Sequence, residues 1–461
     1  MHSLSFPLET TGKRQRQSLI IEGGANSRNY LRLVFTAFVL NLLSAFLFID
    51  VVNRPVYDDP YNISDVHNYA ANGVSITTLR SQRNPPGPLS FLWMAAAVRL
   101  VGGEELRAAR LGSVASWIFL TAVVLVAARY SNFPNLWCGA LLVTLVFPHS
   151  VEATSTVLTE GPALLFAVAG ALAWTEFIWQ QTAERHATIL GLVGGLSIGA
   201  SIVCRQYNLA LLAAAGLLFA YGFRQRKLNS VKRSLWAASA ILSLVFATVP
   251  VLLLIFVWNG LSSPGMVSGT SYKMWRADVG VNLARPIVAT FYVAFYLVPF
   301  TFPVIRCVDA ARRTRFLLVA LLGGVIASHF RSYLLQPGPL HTLVQSASRV
   351  PTIQAGLFGL IATLTIYNVL AVGLQLWERR ASLLSSPPVV LALLTIILFI
   401  VEQLGVGGNI PLYDRYVLQI APFVGIIAFW LLPGLDLLRL STLIVLSLVS
   451  NAMLWRYAFQ A

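Results

Sequence analysis

Apolar runs recur along almost the whole chain and alternate with short polar connections. From Tyr30 nearly to the C-terminus the runs are roughly 20 residues long, which lets a helix cross about 30 Å of hydrocarbon. No polar stretch is long enough to form a separate soluble domain. The pattern predicts an all-α integral membrane protein of about 13 transmembrane helices, with short interfacial helices in the first outer loop. The predicted spans are residues 30–52, 109–129, 135–151, 159–180, 187–204, 207–222, 235–258, 285–305, 316–330, 352–376, 389–404, 415–433 and 440–457.

One apolar segment is too short to be counted as a span. Residues Pro88–Val101 read PLSFLWMAAAVRLV, about 14 residues that include Arg99, so they are predicted to lie at the outer interface as a helix. This choice sets the topology of every later loop. Counted as a span, the segment would place the basic loop 224–233 on the outer side, against the preference of lysine and arginine for the cytoplasm.

Composition and charge agree with a membrane protein. Hydrophobic residues make up 57% of the chain and charged residues 11%, and the mean hydropathy is +0.71. The net charge of +15 comes from basic residues in short loops such as 224–233, 306–315 and 379–380, where they fix the topology. No nucleic-acid partner is therefore predicted. The predicted organisation is a basic cytoplasmic tail, residues 1–29, followed by a single multi-span transmembrane domain, residues 30–461.

Three glycines at intervals of four, Gly191, Gly195 and Gly199, lie within one apolar run. Small residues at this spacing let a neighbouring membrane helix approach closely. A phosphate-binding loop is excluded there, because the sequence lacks the strand–loop–helix context and the Lys-Ser/Thr that follow such a loop. The glycines therefore predict a tight contact between two helices.

The polar residues that could carry chemistry gather on the predicted outer side. The longest outer loop, residues 53–108, holds Asp58, Asp59, Asp65 and Tyr69. Ser64 is predicted to cap a short helix that begins at Asp65, which places Asp65 and Tyr69 on one face of that helix. Further candidates in the later outer loops are Glu152, Glu160, Arg205, Asn208, Lys273 and Arg415.

This combination of residue types suits group transfer from a lipid phosphate. Arginines bind phosphate oxygens with forked contacts, and a carboxylate within hydrogen-bond reach of an acceptor hydroxyl takes its proton. Arg205 interrupts two apolar runs with almost no loop, where an uncompensated charge is expensive. The alternative interpretation of Arg205 is an arginine that snorkels to the interface, and that of each isolated aspartate is a solvated loop residue.

Five short segments occur together in a recognisable order. They are SDVHNY (64–69), NPPGPLSFLWMAA (84–97), GGEELRAARLGS (102–113), LTEGPALLF (158–166) and YDRYVLQIAPF (413–423). In order and topology they resemble the GT-C glycosyltransferases, above all the bacterial branch related to lipid A aminoarabinose transferases and protein O-mannosyltransferases. The element Arg205-Gln206-x-Asn208 also resembles the dolichol-phosphate-glucose glucosyltransferases of the same superfamily. The resemblance is fair over residues 30–220 and thin afterwards, apart from the YDRY segment.

The resemblance implies a fold, an activity and a division of the chain. It implies a GT-C-like catalytic module over residues 30–222 and variable C-terminal helices over residues 223–461. The implied reaction is inverting transfer of a hexosyl or pentosyl group from a polyprenyl phosphate to a glycan, lipid or protein acceptor. The implied location is the bacterial inner membrane, with the active site facing outward. No required cofactor can be read from the sequence, and a divalent metal is left open.

The resemblance also implies the roles of particular residues. The family's catalytic carboxylate in the first outer loop carries over to Asp65, or otherwise to Asp59 or Asp58. Members often show Asp-Glu, whereas Val66 follows Asp65, and many have lysine before Pro-Pro, where this chain has Asn84. Another cation must therefore bind the phosphate. The predicted substrate-binding residues are Tyr69, Glu152, Glu160, Arg205, Asn208, Lys273 and Arg415.

A transporter or flippase of lipid-linked sugars is the main alternative. Transporters commonly show duplicated halves and ionisable residues near the membrane midplane, but this sequence shows no clear internal repeat and gathers its ionisable residues at one face. A lipid-linked polysaccharide polymerase or ligase is a third hypothesis, although its long functional loop is expected late in the chain. The early outer loop, residues 53–108, favours the transferase.

Overall fold

The computed structural model describes most of the chain as helix. The described residues are 11–85, 87–179, 185–225, 230–260, 263–267, 283–336, 338–405, 414–434 and 437–459. Within these ranges every regular element is helical and no strand occurs. The predicted all-α class is confirmed.

The helices follow one another with short connections. The first twelve are α1 (Thr11–Val51), α2 (Asp59–Asn72), α3 (Ile76–Ser81), α4 (Pro88–Val101), α5 (Glu105–Tyr130), α6 (Pro134–Val146), α7 (Ser150–Ser155), α8 (Glu160–Trp179), α9 (Arg185–Cys204), α10 (Leu209–Gln225), α11 (Ser230–Trp258) and α12 (Pro264–Val267). The others are α13 (Ala284–Thr301), α14 (Ala310–His329), α15 (Arg331–Leu334), α16 (Pro339–Ala347), α17 (Pro351–Glu378), α18 (Arg380–Leu384), α19 (Pro387–Glu402), α20 (Ala421–Leu431) and α21 (Leu437–Phe459). Short 3₁₀ turns cover Gln206–Asn208, Phe302–Cys307, Gln403–Gly405 and Asp414–Ile420.

The helix lengths support a multi-pass membrane protein. Ten of the predicted spans are helices long and apolar enough to cross a membrane, judged by length and composition. Two further predicted spans fall on shorter apolar helices, Pro134–Val146 and Arg415–Leu431. Another falls on α14, whose first turns carry Arg312, Arg313 and Arg315. The predicted count of about 13 is therefore not established by these ten alone.

Two helices begin earlier than the sequence pattern predicts. Helix α1 begins at Thr11, within the segment predicted to be a tail. Helix α2 begins at Asp59 rather than at Asp65, because Pro60 in its first turn has the φ that a helix start needs and no N–H to leave unpaired. Ser64 is not the cap, since its hydroxyl donates to the Tyr61 carbonyl at 2.9 Å.

Helix α8 occupies the centre of the bundle. Its most apolar stretch is 89% buried inside the protein, against 17% for that of α11. Trp174 and Phe177 of α8 are fully buried, and α8 packs along α9. Because α8 begins at Glu160, a largely buried helix holds that carboxylate at one end of the bundle.

The three spaced glycines bring α9 against α11, as predicted. A Cβ added to Gly195 would lie 2.1 Å from the Ser243 carbonyl oxygen, and one added to Gly199 would lie 2.8 Å from that of Ala247. Both distances are too short for a non-bonded contact. The close approach of the two backbones thus depends on these glycines.

The predicted topology can be checked by labelling single cysteines in intact cells with a membrane-impermeant thiol reagent. Cys307 is exposed whereas the other two cysteines are buried, so the background protein carries Cys307→Ser. Arg83→Cys and Glu104→Cys lie on either side of α4 at exposed positions, and both should be labelled from outside. Arg315→Cys should be protected. Opposite labelling at positions 83 and 104 would mean that α4 crosses the membrane.

Candidate active site

Four charged residues from distant parts of the chain meet at one end of the bundle. Asp58 precedes α2, Glu160 opens α8, Arg205 follows α9, and Arg415 lies in the turn Asp414–Ile420. Arg415 Nη2 lies 2.8 Å from Asp58 Oδ2, and Arg415 Nε lies 4.0 Å from Glu160 Oε1. Arg205 Nη2 donates to the same Glu160 oxygen. We call these four residues the charge cluster.

The charge cluster is buried except at Asp58. The side chains of Glu160, Arg205 and Arg415 expose 1%, 8% and 9% of their surface, and that of Asp58 exposes 30%. Charges interact more strongly in such surroundings than in water, and each buried charge needs a partner. Among the four, Asp58 has the most exposed side chain.

Tyrosine rings line the two arginines. The Arg415 guanidinium lies 4.7 Å from the centre of the Tyr57 ring. Arg205 and Arg415 both lie 5.4 Å from the centre of the Tyr416 ring, which packs 5.1 Å from that of Tyr207. Cation–π contacts of this kind stabilise a guanidinium without neutralising it. The rings therefore fix the arginines in place while leaving them positively charged.

Tyr57 holds an unusual backbone conformation beside the site. Its φ is +56°, in the left-handed region, which costs a residue other than glycine on the order of 1–3 kcal/mol. Burial raises the pKa of its hydroxyl group, so the hydroxyl stays protonated at neutral pH. Strain of this kind is typical of functional sites, and here it directly precedes Asp58.

Asp59, the neighbour of Asp58, has the contacts of a structural residue. It is fully buried, and its Oδ2 lies 2.6 Å from Arg110 Nη2 of α5. It accepts two backbone N–H groups as well, one of them from Val157 at 2.5 Å. Burial raises the pKa of Asp59, while Arg110 and the hydrogen bonds oppose that shift. Arg110 also donates to two backbone carbonyls just after α1, at 2.5 and 2.8 Å, so the pair ties together three segments.

Asp65 fixes the loop that leads into α4. It is 2% exposed and accepts the backbone N–H groups of Arg83 at 2.9 Å and Asn84 at 3.0 Å, together with the Asn84 side-chain amide at 2.7 Å. Burial raises the pKa of Asp65, and these hydrogen bonds oppose the shift. Tyr69 lies on the same buried face, as predicted, and donates to Gln82 at 2.9 Å. Both residues therefore hold this loop.

Two further predicted binding residues, Asn208 and Glu152, have partners outside the charge cluster. Asn208 donates to the Ser201 carbonyl at 3.1 Å, at the end of α9. Glu152 is fully buried and accepts the Tyr457 hydroxyl at 2.6 Å. Lys273 lies outside the described residues. Of the seven predicted binding residues, the structure thus brings together Glu160, Arg205 and Arg415.

Two residues of the site are not singled out by the sequence analysis. Arg110 could have been found from the sequence, because a charged residue at the start of an apolar run needs a partner. Tyr57 has no such signal, since left-handed backbone is expected of glycine or asparagine rather than of tyrosine. Its role depends on neighbours that come from other helices.

The carboxylates of the site contact arginines. Among the residues that the structure describes, no group of three or more His, Cys, Asp or Glu side chains is placed to hold a metal ion. Asp58 and Glu160 instead share the Arg415 guanidinium.

Comparison with known proteins gives a distant structural similarity. The chain is similar to two crystal structures of ArnT from Cupriavidus metallidurans, one in the apo state and one bound to undecaprenyl phosphate. Identity to both is 16%, with 92% of this chain covered, 77% and 78% of those chains covered, and TM-scores of 0.41 and 0.42. No family model and no curated protein matches the chain. Similarity at this level does not transfer an activity.

Proposed function

We propose that the protein is a membrane glycosyltransferase that moves a sugar from a polyprenyl-phosphate carrier to an acceptor hydroxyl. The observation that carries the proposal is the partly exposed Asp58 carboxylate, 2.8 Å from the Arg415 guanidinium in an otherwise buried cluster. Such a transfer needs a base for the acceptor beside a cation for the leaving phosphate. The cluster lies at the end of a bundle of apolar helices, where a polyprenyl tail can remain in the hydrocarbon.

In the proposed reaction, the acceptor hydroxyl gives its proton to Asp58 while its oxygen attacks the anomeric carbon of the sugar. The bond between that carbon and the phosphate oxygen breaks with inversion, and its electron pair leaves with the polyprenyl phosphate. Arg205 and Arg415 stabilise the negative charge that grows on the leaving phosphate. Glu160, which both arginines contact, keeps the two guanidiniums side by side.

The contacts favour Asp58 as the base among the three candidate aspartates. A base needs an oxygen lone pair that can face the acceptor. Asp59 is fully buried against Arg110, and Asp65, which the sequence pattern favours, accepts three hydrogen bonds from the loop before α4. Asp58 is 30% exposed, so it combines access with a neighbouring cation.

We place the site on the outer face of a bacterial inner membrane. Helix α10 starts just after Arg205 and is 17 residues long, and its last turn holds Arg224, the first residue of the basic segment 224–233. A helix of that length separates its ends by about 25 Å, so the cluster and Arg224 lie at opposite ends. Since basic loops stay in the cytoplasm, the acceptor, a glycan, lipid or protein, reaches the site from outside.

Replacing Arg205 with Ala should raise the KM for the lipid donor by at least about tenfold, or lower kcat if the contact tightens as charge builds on the phosphate. Arg205→Lys should recover only part of the loss, because an ammonium lacks the planar fork of donors. The measurement is transfer from a labelled polyprenyl-phosphate sugar by the purified protein in detergent. Thermal unfolding of each variant confirms that it is folded.

Arg312→Ala is the matched control for this experiment. Arg312 is an exposed arginine that pairs with Glu378 at 2.6 Å, away from the charge cluster, and its loss should leave the donor KM unchanged. Normal donor kinetics in a folded Arg205→Ala protein would assign Arg205 to a structural pair with Glu160. If the wild-type protein moved intact donor across a vesicle membrane without transferring its sugar, it would be a flippase.

A further inference from the structure

A second buried polar cluster connects the C-terminal helix to the first half of the chain. Glu152 of α7 is fully buried; its Oε2 lies 2.8 Å from His149 Nδ1, and its Oε1 accepts the Tyr457 hydroxyl at 2.6 Å. Arg456 Nη2 lies 3.9 Å from the same Oε1. Burial raises the pKa of Glu152, but His149, Tyr457 and Arg456 together hold it below its usual value. We call these four residues the anchor cluster.

Further contacts fix the last turns of α21. Trp455 Nε1 donates to Ser44 Oγ at 3.1 Å, and Arg54 Nη2 donates to the Tyr457 carbonyl at 3.0 Å. Ser450 accepts a backbone N–H of α7 at 3.2 Å. The end of α21 therefore has a set position relative to α1 and to the loop that carries Asp58.

Tyr57 joins the anchor cluster to the charge cluster. Its ring centre lies 5.7 Å from that of Tyr457 and 4.7 Å from the Arg415 guanidinium. Its left-handed backbone, with φ of +56°, is a conformation that a tyrosine keeps only when its surroundings impose it. The next residue is Asp58, the partner of Arg415. A displaced Tyr57 would therefore disturb both members of that ion pair.

We propose that Tyr457 is a positioning residue, which holds Tyr57 and through it the Asp58–Arg415 pair in the geometry for transfer. The proposal rests on the proposed function and adds to it a residue that acts through Tyr57 rather than on the substrate. The hydroxyl of Tyr457 fixes its own ring, because a hydrogen bond to a buried carboxylate is costly to leave unmade. The ring then supplies the contact with Tyr57.

The test compares kcat for Tyr457→Phe, Tyr457→Ala, Tyr57→Ala and the double variant. Tyr457→Phe keeps the ring and should lower kcat about three- to tenfold, whereas Tyr457→Ala should lower it about 10- to 100-fold, because misplaced reacting groups lose rate steeply. In the Tyr57→Ala background, adding Tyr457→Ala should lower kcat by less than about twofold more, because the contact between the two tyrosine rings is already lost. Tyr221→Phe, which removes a hydroxyl bonded to the Leu384 carbonyl at 3.2 Å, is the matched control and should keep the wild-type kcat.

Two results would overturn the positioning role. The first is a double variant whose fold-loss in kcat equals the product of the losses in Tyr457→Ala and Tyr57→Ala. The second is a folded Tyr457→Phe protein with the wild-type kcat. The second result decides the question even if Tyr457→Ala does not fold. Arg415→Ala, assayed alongside, separates this proposal from the one on which it rests. A wild-type protein that transfers no sugar would contradict the proposed function. If Arg415→Ala keeps normal transfer kinetics, the role of the Asp58–Arg415 pair fails. If it loses transfer while the Tyr457 variants do not, only the positioning role fails.

Discussion

Replacing Asp58 with Asn should lower the rate of sugar transfer by at least about 10²-fold while the lipid donor still binds. Asparagine keeps the shape of the side chain but cannot take the proton of the acceptor hydroxyl. The KM for the donor should stay the same or fall, because Asp58 lies 2.8 Å from Arg415 and competes with the phosphate for that guanidinium. Initial rates over a range of donor concentrations separate the two effects.

Two other aspartates serve as controls for this result. Asp50→Asn breaks an exposed pair with Arg107 at 2.6 Å and should leave the rate unchanged. Asp65→Asn should weaken the hydrogen bonds that hold the loop before α4. The folded variant should keep a transfer rate within about tenfold of the wild-type rate, because only the positions of the reacting groups are disturbed. If Asp65→Asn abolishes transfer and Asp58→Asn does not, Asp65 is the base and the mechanism stands. Full activity of both Asp58→Asn and Asp65→Asn would mean that neither aspartate is the base. A wild-type protein that transfers no sugar would contradict the glycosyltransferase proposal itself.

Replacing Arg110 with Met should destabilise the protein by about 3–5 kcal/mol, because it leaves the Asp59 carboxylate buried without its cation. Methionine has a long side chain, so the change removes the charge with little loss of volume. The pair lies at 2.6 Å between two side chains that expose at most 1% of their surface. The measurement is the free energy of unfolding in mixed detergent micelles.

The double variant Asp59→Leu with Arg110→Met tests whether the destabilisation comes from the unpaired Asp59 carboxylate. Removing both charges of a buried pair is often neutral, whereas removing one is not, so the double variant should be more stable than Arg110→Met alone. A folded Arg110→Met protein with wild-type stability would mean that Asp59 does not depend on Arg110. Asp59 would then be open to a role in the reaction.

Helix α4 shows what local sequence signals can predict. The segment Pro88–Val101 is predicted as a helix with the same bounds that the structure has. Pro88 supplies the preferred first residue, and Gly102, with φ of +69°, supplies the left-handed residue that ends a helix without strain. Both signals lie within the segment or directly beside it, so they depend on no partner elsewhere in the chain.

The contacts within the charge cluster could not be predicted from local sequence signals. Its members come from four separate stretches, and Arg415 lies in the part, residues 223–461, that the resemblance implies to be variable. The sequence pattern predicts that Glu160, Arg205 and Arg415 lie on one face of the membrane, and the structure brings them into contact. The carboxylate with which each arginine pairs depends on how α8, α9 and the turn before α20 pack together.

Apolar runs and charged loops were enough to predict the membrane class, the positions of the apolar helices and the side on which the polar residues gather. These predictions follow from hydrophobic transfer and loop charge, which add up residue by residue along the chain. The partners of the aspartates depend instead on tertiary packing: Asp59 pairs with Arg110, Asp65 holds the loop before α4, and Asp58 faces Arg415. Adjacent aspartates look alike in sequence, because the direction in which each carboxylate points is set by helices that pack from distant parts of the chain.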